Sequence, residues 1–488
     1  MVETGNRKPV RPVPKVAVLA TIFVAVFVSN VDLFVVNVAL PDIGRDLSGA
    51  SLGALSWVLN AYAIVFAALL VVAGRLADRH GQRIGFQLGL ALFTVGSAMC
   101  AVAGSVGWLV AARCIQAVGA AALLPTSLAL MLAVTEPARR AGMVRAWSAV
   151  GGVAAALGPV LGGVLVQASW RWVFIINVPI GVVALALGAR VLPKVASDRS
   201  GAGPDLLGAV MVTVSIGALS LGLVRSNEWG WGDPRTLGCF AVALLLLAGF
   251  LRQSRRHPAP IVEMAILRNS RFSMASASML LFTLAFAGVT LSSALWCQDV
   301  WGYSALRTGL ALAPGPLMVP ALVVVSGSLA RRFGPGPVSA VGNLLFGVGI
   351  LWWPLTVSAT PHYATAMLPG FLIGGVGVGL CLPTLTAAGA TALPPQRLAT
   401  GAGVITMARQ IGAVLGVAVL VGVLGTPHSL GGAVHAYRNG WYVLSAVSVL
   451  AAVVALAVGR PPAAGAAADP PRPETDAAPR VGPGVRGA

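Results

Sequence analysis

Fourteen apolar runs, each about twenty residues long, follow one another along the chain and limit its fold more than any other feature. Hydrocarbon offers no water to the backbone, so a spanning segment must satisfy its own N–H and C=O groups, as a helix or in a closed barrel. Barrel strands are roughly ten residues long and alternate strictly between polar and apolar side chains. These runs are longer and apolar throughout, so the expected fold is an all-α polytopic membrane protein with 14 transmembrane helices. Composition agrees. Of 488 residues, 57% are hydrophobic and 10% charged, too few charges to cover a soluble protein of this size. The eighth run, Leu237–Leu251, is the weakest, and its start is open back to Pro234.

Charge placement orients the spans. With both termini cytoplasmic, the inner segments hold twenty-five of the 33 Lys and Arg. The outer loops hold six, and Arg113 and Arg409 lie inside spans. Cytoplasmic loops carry such an excess. Removing the eighth span would turn the basic stretch between Leu251 and Phe272 outward, so the bias supports fourteen. The net charge of +18 is spread over short loops. A nucleic-acid binder would gather it on one soluble face, so no nucleic-acid partner is expected. The five cysteines have no metal-ligand or pairing pattern and are expected to be small buried apolar side chains. No lysine lies in a phosphate-binding loop, which argues against an ATP-driven pump. The five histidines are scattered over loops, which argues against an enzyme.

The chain repeats itself. GRLADRHG at Gly74 returns as GSLARRFG at Gly327, Gly119 with Pro125-Thr126 returns as Gly377 with Pro383-Thr384, and Gly158–Gly162 returns as Gly412–Gly416. The offsets are 253, 258 and 254 residues. Two six-helix bundles related as a parallel repeat therefore flank an inserted helix pair. The expected division is a cytoplasmic N-terminal tail (1–15), a first bundle (16–192), a linker with two extra transmembrane helices (193–271), a second bundle (272–459) and a disordered cytoplasmic tail (460–488). Parallel repeats suit a protein that rocks one half against the other around a central site.

Asp32 is the only acid deep within a span, and an ionisable residue there is functional by default. It lies about 12 Å from the end of its run and Arg113 about 10 Å from the start of its own, at 1.5 Å per residue. Their helices run in opposite directions, so both sit at similar depth. Loss of water favours a neutral carboxyl whereas a guanidinium beside it favours the carboxylate, a balance that a substrate could tip. A static ion pair that fixes helix packing is the competing reading. Arg409, also mid-span, could contact an anionic substrate or cap carbonyls of a neighbouring helix. Asn37, Asn60, Tyr62, Gln116, Trp296 and Gln298 are candidate cavity residues. Gly158, Pro159, Gly162 and Gly163 allow either close packing or a hinge.

GRLADRHGQR (Gly74–Arg83) resembles the loop signature of the major facilitator superfamily, and LVAARCIQAVGAA (Leu109–Ala121) its fourth-helix motif. GPVLGG (Gly158–Gly163) is similar to the fifth-helix motif of its exporters. VDLFVVNVALP (Val31–Pro41) and WRWVFIINVPIG (Trp170–Gly181) resemble the 14-helix drug:proton antiporter branch. Phe34 stands where that branch usually has Thr, and Gln82 where the loop usually has Arg.

The resemblance implies proton-driven efflux of small amphipathic or cationic compounds, such as drugs or antibiotics, by alternating access. Asp32 and Arg113 would couple the proton. Gly74, Asp78, Arg79, Gly81 and Arg83 would form a gating loop, and Gly158–Gly163 a moving element. It implies no catalysis, no metal and no cofactor, with the proton gradient as energy source. A monomer in the bacterial cytoplasmic (inner) membrane is expected, with lipid, protons and a small molecule as partners. A narrow metabolite transporter (exporter or proton symporter) on the same fold, or a transporter-derived sensor, is the alternative.

Overall fold

The computed structural model describes residues 15–47, 50–193, 203–393, 398–425 and 429–459. The expected tails, apart from Lys15, and part of the linker lie outside these. The described chain is helical, without strands. The first bundle comprises α1 (Lys15–Asp46), α2 (Leu52–His80), α3 (Gln82–Ala101), α4 (Val106–Val134), α5 (Arg140–Val166) and α6 (Trp172–Val191). The inserted pair is α7 (Leu206–Trp229) and α8 (Pro234–Arg256). The second bundle comprises α9 (Ser270–Val300), α10 (305–333), α11 (Pro335–Thr356), α12 (Leu368–Thr391), α13 (Leu398–Leu424) and α14 (Leu430–Leu456). Thirteen of these fourteen segments are long and apolar enough to cross a membrane. In α5 the qualifying apolar part is shorter, Val150–Val166.

Side chains start the helices where the sequence turns polar. Ser51 accepts from the Ala54 N–H, Ser105 from that of Trp108 and Ser429 from that of Gly432. Asp233 caps α8, with Pro234 in the first turn where its missing N–H costs nothing. The eighth span therefore begins at Pro234. Proline also divides α10 into Ala305–Leu312, Pro314–Leu317 and Val319–Phe333, where the sequence suggested one continuous span. α9 ends in a π turn, Trp296–Val300.

The duplication extends to individual backbone contacts. Gly81 and Gly334, equivalent in the repeat, end α2 and α10 with φ of 106° and 92°, a region that side chains with a Cβ rarely adopt. A Cβ on Gly119 would strike the backbone of Gly89 and Phe93, and one on Gly377 the backbone of Gly342 and Phe346. Those partners are themselves 253 residues apart.

The bundles meet along two seams, α2 against α13 and α5 against α10. The inserted α7 packs on both α2 and α13 and so covers one seam, while α8 packs chiefly on α7 and turns Leu244 and Leu245 outward. Arg75, at the end of α2, donates to the Ala259 and Pro260 carbonyls beyond α8, which ties the inserted pair to the first bundle.

Candidate functional site

Asp32 and Arg113 form an ion pair in the interior of the first bundle, and each is only 1% exposed. Four helices supply the groups around them. Gln116, one turn along α4 from Arg113, donates from Nε2 to Asp32 Oδ1 (2.9 Å) and accepts the Arg113 guanidinium at Oε1 (2.7 Å). Asn177 of α6 donates to the same Asp32 oxygen (3.1 Å). Ser97 of α3 accepts from Gln116 (2.8 Å), and the Val58 carbonyl of α2 accepts from Arg113 Nε (3.2 Å). Tyr62 lays its ring 4.0 Å from the guanidinium carbon. The carboxylate thus receives donors from three side chains, the arrangement a charge needs to persist away from water.

A cavity of about 310 Å³ lies between the bundles, bounded by α1, α2, α4 and α5 on one side and α9–α13 on the other. Arg113 reaches its wall, whereas Asp32 lies behind that arginine and outside the lining. Asn37, Asn60 and Arg409 line the cavity, as do Phe34 and Pro159. Four other sequence candidates lie outside it. Tyr62 is taken up by stacking under Arg113, and Gln116 by its bonds to Asp32 and Ser97. Trp296 is buried in an aromatic cluster with Tyr437 and Trp441, at 5.2 Å from each ring. Gln298 donates across the bundle interface to the Val38 carbonyl (2.9 Å). Polarity in an apolar span marked these four, but polarity alone does not distinguish a cavity wall from a buried network.

The glycines of α5 divide between two partners. Gly158 and Gly162 lie against Phe34 and Val35 of α1, inside the bundle. Gly163 meets the Ala305 carbonyl and Leu306 of α10, and the Pro159 carbonyl lies against Gly309. In the α2–α3 loop, Gln82 donates to Asp78 (2.5 Å) and Arg83 to the Ala189 carbonyl at the end of α6. Gly74 sits against Pro125 of α4, while Arg79 is exposed.

Sequence reasoning passed over Asn177, Ser97 and Arg75. Asn177 could have been found, because it is an amide within the apolar WRWVFIINVPIG segment. Ser97 and Arg75 carry no such signal, since isolated serines bond their own helix and Arg75 reads as a loop charge.

Among the described residues no group of His, Cys, Asp and Glu could hold a metal ion. The Major Facilitator Superfamily model matches residues 22–417. The tetracenomycin C resistance and export protein of Streptomyces glaucescens is 34% identical over 85% of this chain and 76% of its own length. The methylenomycin A resistance protein of Streptomyces coelicolor is 30% identical over 94% and 93%. The probable actinorhodin transporter of the same species is 33% identical over 83% and 71%. A solved bacterial homologue of the human lysosomal transporter Spinster superposes with a TM-score of 0.67 at 16% identity, covering 91% of this chain and 96% of that one. Its identity is too low to speak for more than the fold. On the family match and these relatives, the chain belongs to the Major Facilitator Superfamily, a family of membrane transporters.

Proposed function

We propose that this protein exports small amphipathic compounds, of the antibiotic kind named for its relatives, in exchange for protons and by alternating access. The observation that carries the reading is the buried Asp32–Arg113 pair, with Arg113 standing between Asp32 and the cavity. Protonation of Asp32 removes the counter-charge of Arg113. The guanidinium then keeps Gln116, the Val58 carbonyl and the Tyr62 ring but gains freedom toward the cavity. A proton taken up behind the wall thereby alters the wall that a substrate touches.

Rocking of the bundles needs seams that slide. In the α5–α10 seam Gly163 lies against the backbone of Ala305 and Leu306, and Gly309 against that of Pro159 and Val160, so at these points backbone meets backbone. In this reading the α2–α3 loop and both termini are cytoplasmic, the chain lies in the bacterial inner membrane, and one copy suffices because the cavity lies within a single chain. The bond from Gln298 to Val38 then closes the outer end and breaks when that end opens. Nothing in this mechanism calls on a catalytic group or a cofactor.

The test is accumulation of amphipathic dyes in a drug-sensitive bacterium expressing the chain, with and without a protonophore. Lower accumulation that is abolished by the protonophore, and absent in a membrane-inserted Asp32→Asn variant, is the expected result. Efflux by Asp32→Asn equal to wild type would overturn the assignment of Asp32.

A further inference from the structure

The cavity carries a charge that this coupling mechanism does not use. Arg409 of α13 lines it, and among the described residues its guanidinium has no ion pair and no hydrogen bond. The carbonyl-capping role that the sequence left open is therefore absent among the described residues. Among the described residues no Asp or Glu lines the cavity, and the other described cation in its wall, Arg113, is already compensated by Asp32. A second group is also left unanswered. Asn60 lies in the same lining with 0% exposure, and neither its amide nitrogen nor its amide oxygen has a partner. An uncompensated cation and a free buried amide are both costly away from bulk water, and a bound acidic group relieves both costs. The remaining wall is aromatic and aliphatic, with Phe34, Phe282, Phe286 and Phe346 in it.

We propose that the cavity takes organic anions with an apolar, aromatic body, their carboxylate or phenolate held by Arg409 and a second oxygen by the Asn60 amide. Cations, the other half of the sequence-based expectation, find no carboxylate among the described residues of this lining. The volume of about 310 Å³ accommodates a small ligand of this kind. An inside-negative membrane potential favours outward movement of an anion, so the charge class also suits export. The inference rests on reading this cavity as the transport site.

The probes are fluorescein, an anion at neutral pH, and rhodamine 6G, a cation with a similar fused-ring body. Their binding to purified protein in detergent is read by fluorescence anisotropy without any gradient. Fluorescein is expected to bind at least about tenfold more tightly, and Arg409→Gln to weaken it by about ten- to a hundredfold, the range for losing a bond to a charged group. Arg409→Lys retains most of the affinity, and Arg409→Glu reverses the preference. Benzoate displacing bound fluorescein where benzylamine does not supports the proposal on the wild-type protein alone. The proposal is overturned if fluorescein binds no better than rhodamine 6G or not at all. An unchanged preference in well-folded Arg409→Gln overturns it too. Because no gradient is present, failure of Asp32 as the proton carrier leaves this result untouched. Failure here, conversely, leaves proton-driven export of uncharged compounds standing.

Discussion

The two bundles share their backbone contacts and differ in what they bury. Gly119 and Gly377 touch equivalent backbone atoms in their respective halves, so helix pairs α3–α4 and α11–α12 pack alike. At the offset of that pair, Arg113 corresponds to Phe371 and Gln116 to Gly374. Phe371 meets Trp353 edge-on, with ring centres 4.9 Å apart, and Trp353 continues to Trp441 at 5.6 Å and on to Trp296 at 5.2 Å. One half therefore holds a charge that can be neutralised by a proton, and the other holds rings that cannot. The duplication supplied two identical frames. The difference in side chains gives the first bundle a buried ion pair where the second has an aromatic cluster, and in the proposed mechanism the first is the half that responds to protons.

Substitutions test this contrast between the halves. The largest effect is expected at the shared frame, where Gly119→Val and Gly377→Val each force a side chain into backbone. Both are expected to lose monodisperse protein in detergent, a destabilisation above about 4 kcal/mol. Collapse of only one of them would end the equivalence of the halves. The next effect separates the halves. Arg113→Ala strands the buried Asp32 carboxylate and is expected to cost about 3–5 kcal/mol. Phe371→Ala beside the cavity is expected to cost about 1–3 kcal/mol from lost apolar burial. Thermal unfolding in detergent checks both, and the reverse order would remove the special standing of the ion pair. The smallest effect is at the contact between bundles. Gln298→Ala loses one hydrogen bond to Val38, about 0.5–1.5 kcal/mol. Spin-label distances between the adjacent ends of α1 and α9 should broaden or lengthen, and an unchanged distribution would deny that bond a closing role.

Much of the fold was legible because a bilayer penalises every unsatisfied backbone group, which forces long uninterrupted apolar helices. Even the weak eighth span could be placed, since charge bias depends on where each loop lies. The break in α10 was harder to see, because Pro314, Pro316 and Pro320 also occur within otherwise continuous membrane helices. At the site, Asp32 and Arg113 were legible because charges in hydrocarbon are rare. Their partners were less so. Gln116 and Asn177 are polar for the sake of the ion pair, Gln298 for the sake of a carbonyl on α1, and Asn37 and Asn60 stand in the cavity wall. Which role a polar residue takes depends on the face its helix turns toward its neighbours, and the apolar periodicity here is too uniform to give that face. The two departures from the family pattern have visible settings. Phe34 adds an aromatic ring to the cavity wall, and Gln82 bonds Asp78 in the loop.

The most direct measurement uses protein reconstituted into liposomes, with an imposed pH gradient and a compound shown to bind the cavity. Wild-type protein is expected to concentrate the compound against its own gradient, in the direction opposite to proton flow. Asp32→Asn is expected to bind the compound and to equilibrate it without concentrating it. Uphill transport by Asp32→Asn at the wild-type level would contradict the account, because the proton would then be carried by some group other than the buried carboxylate.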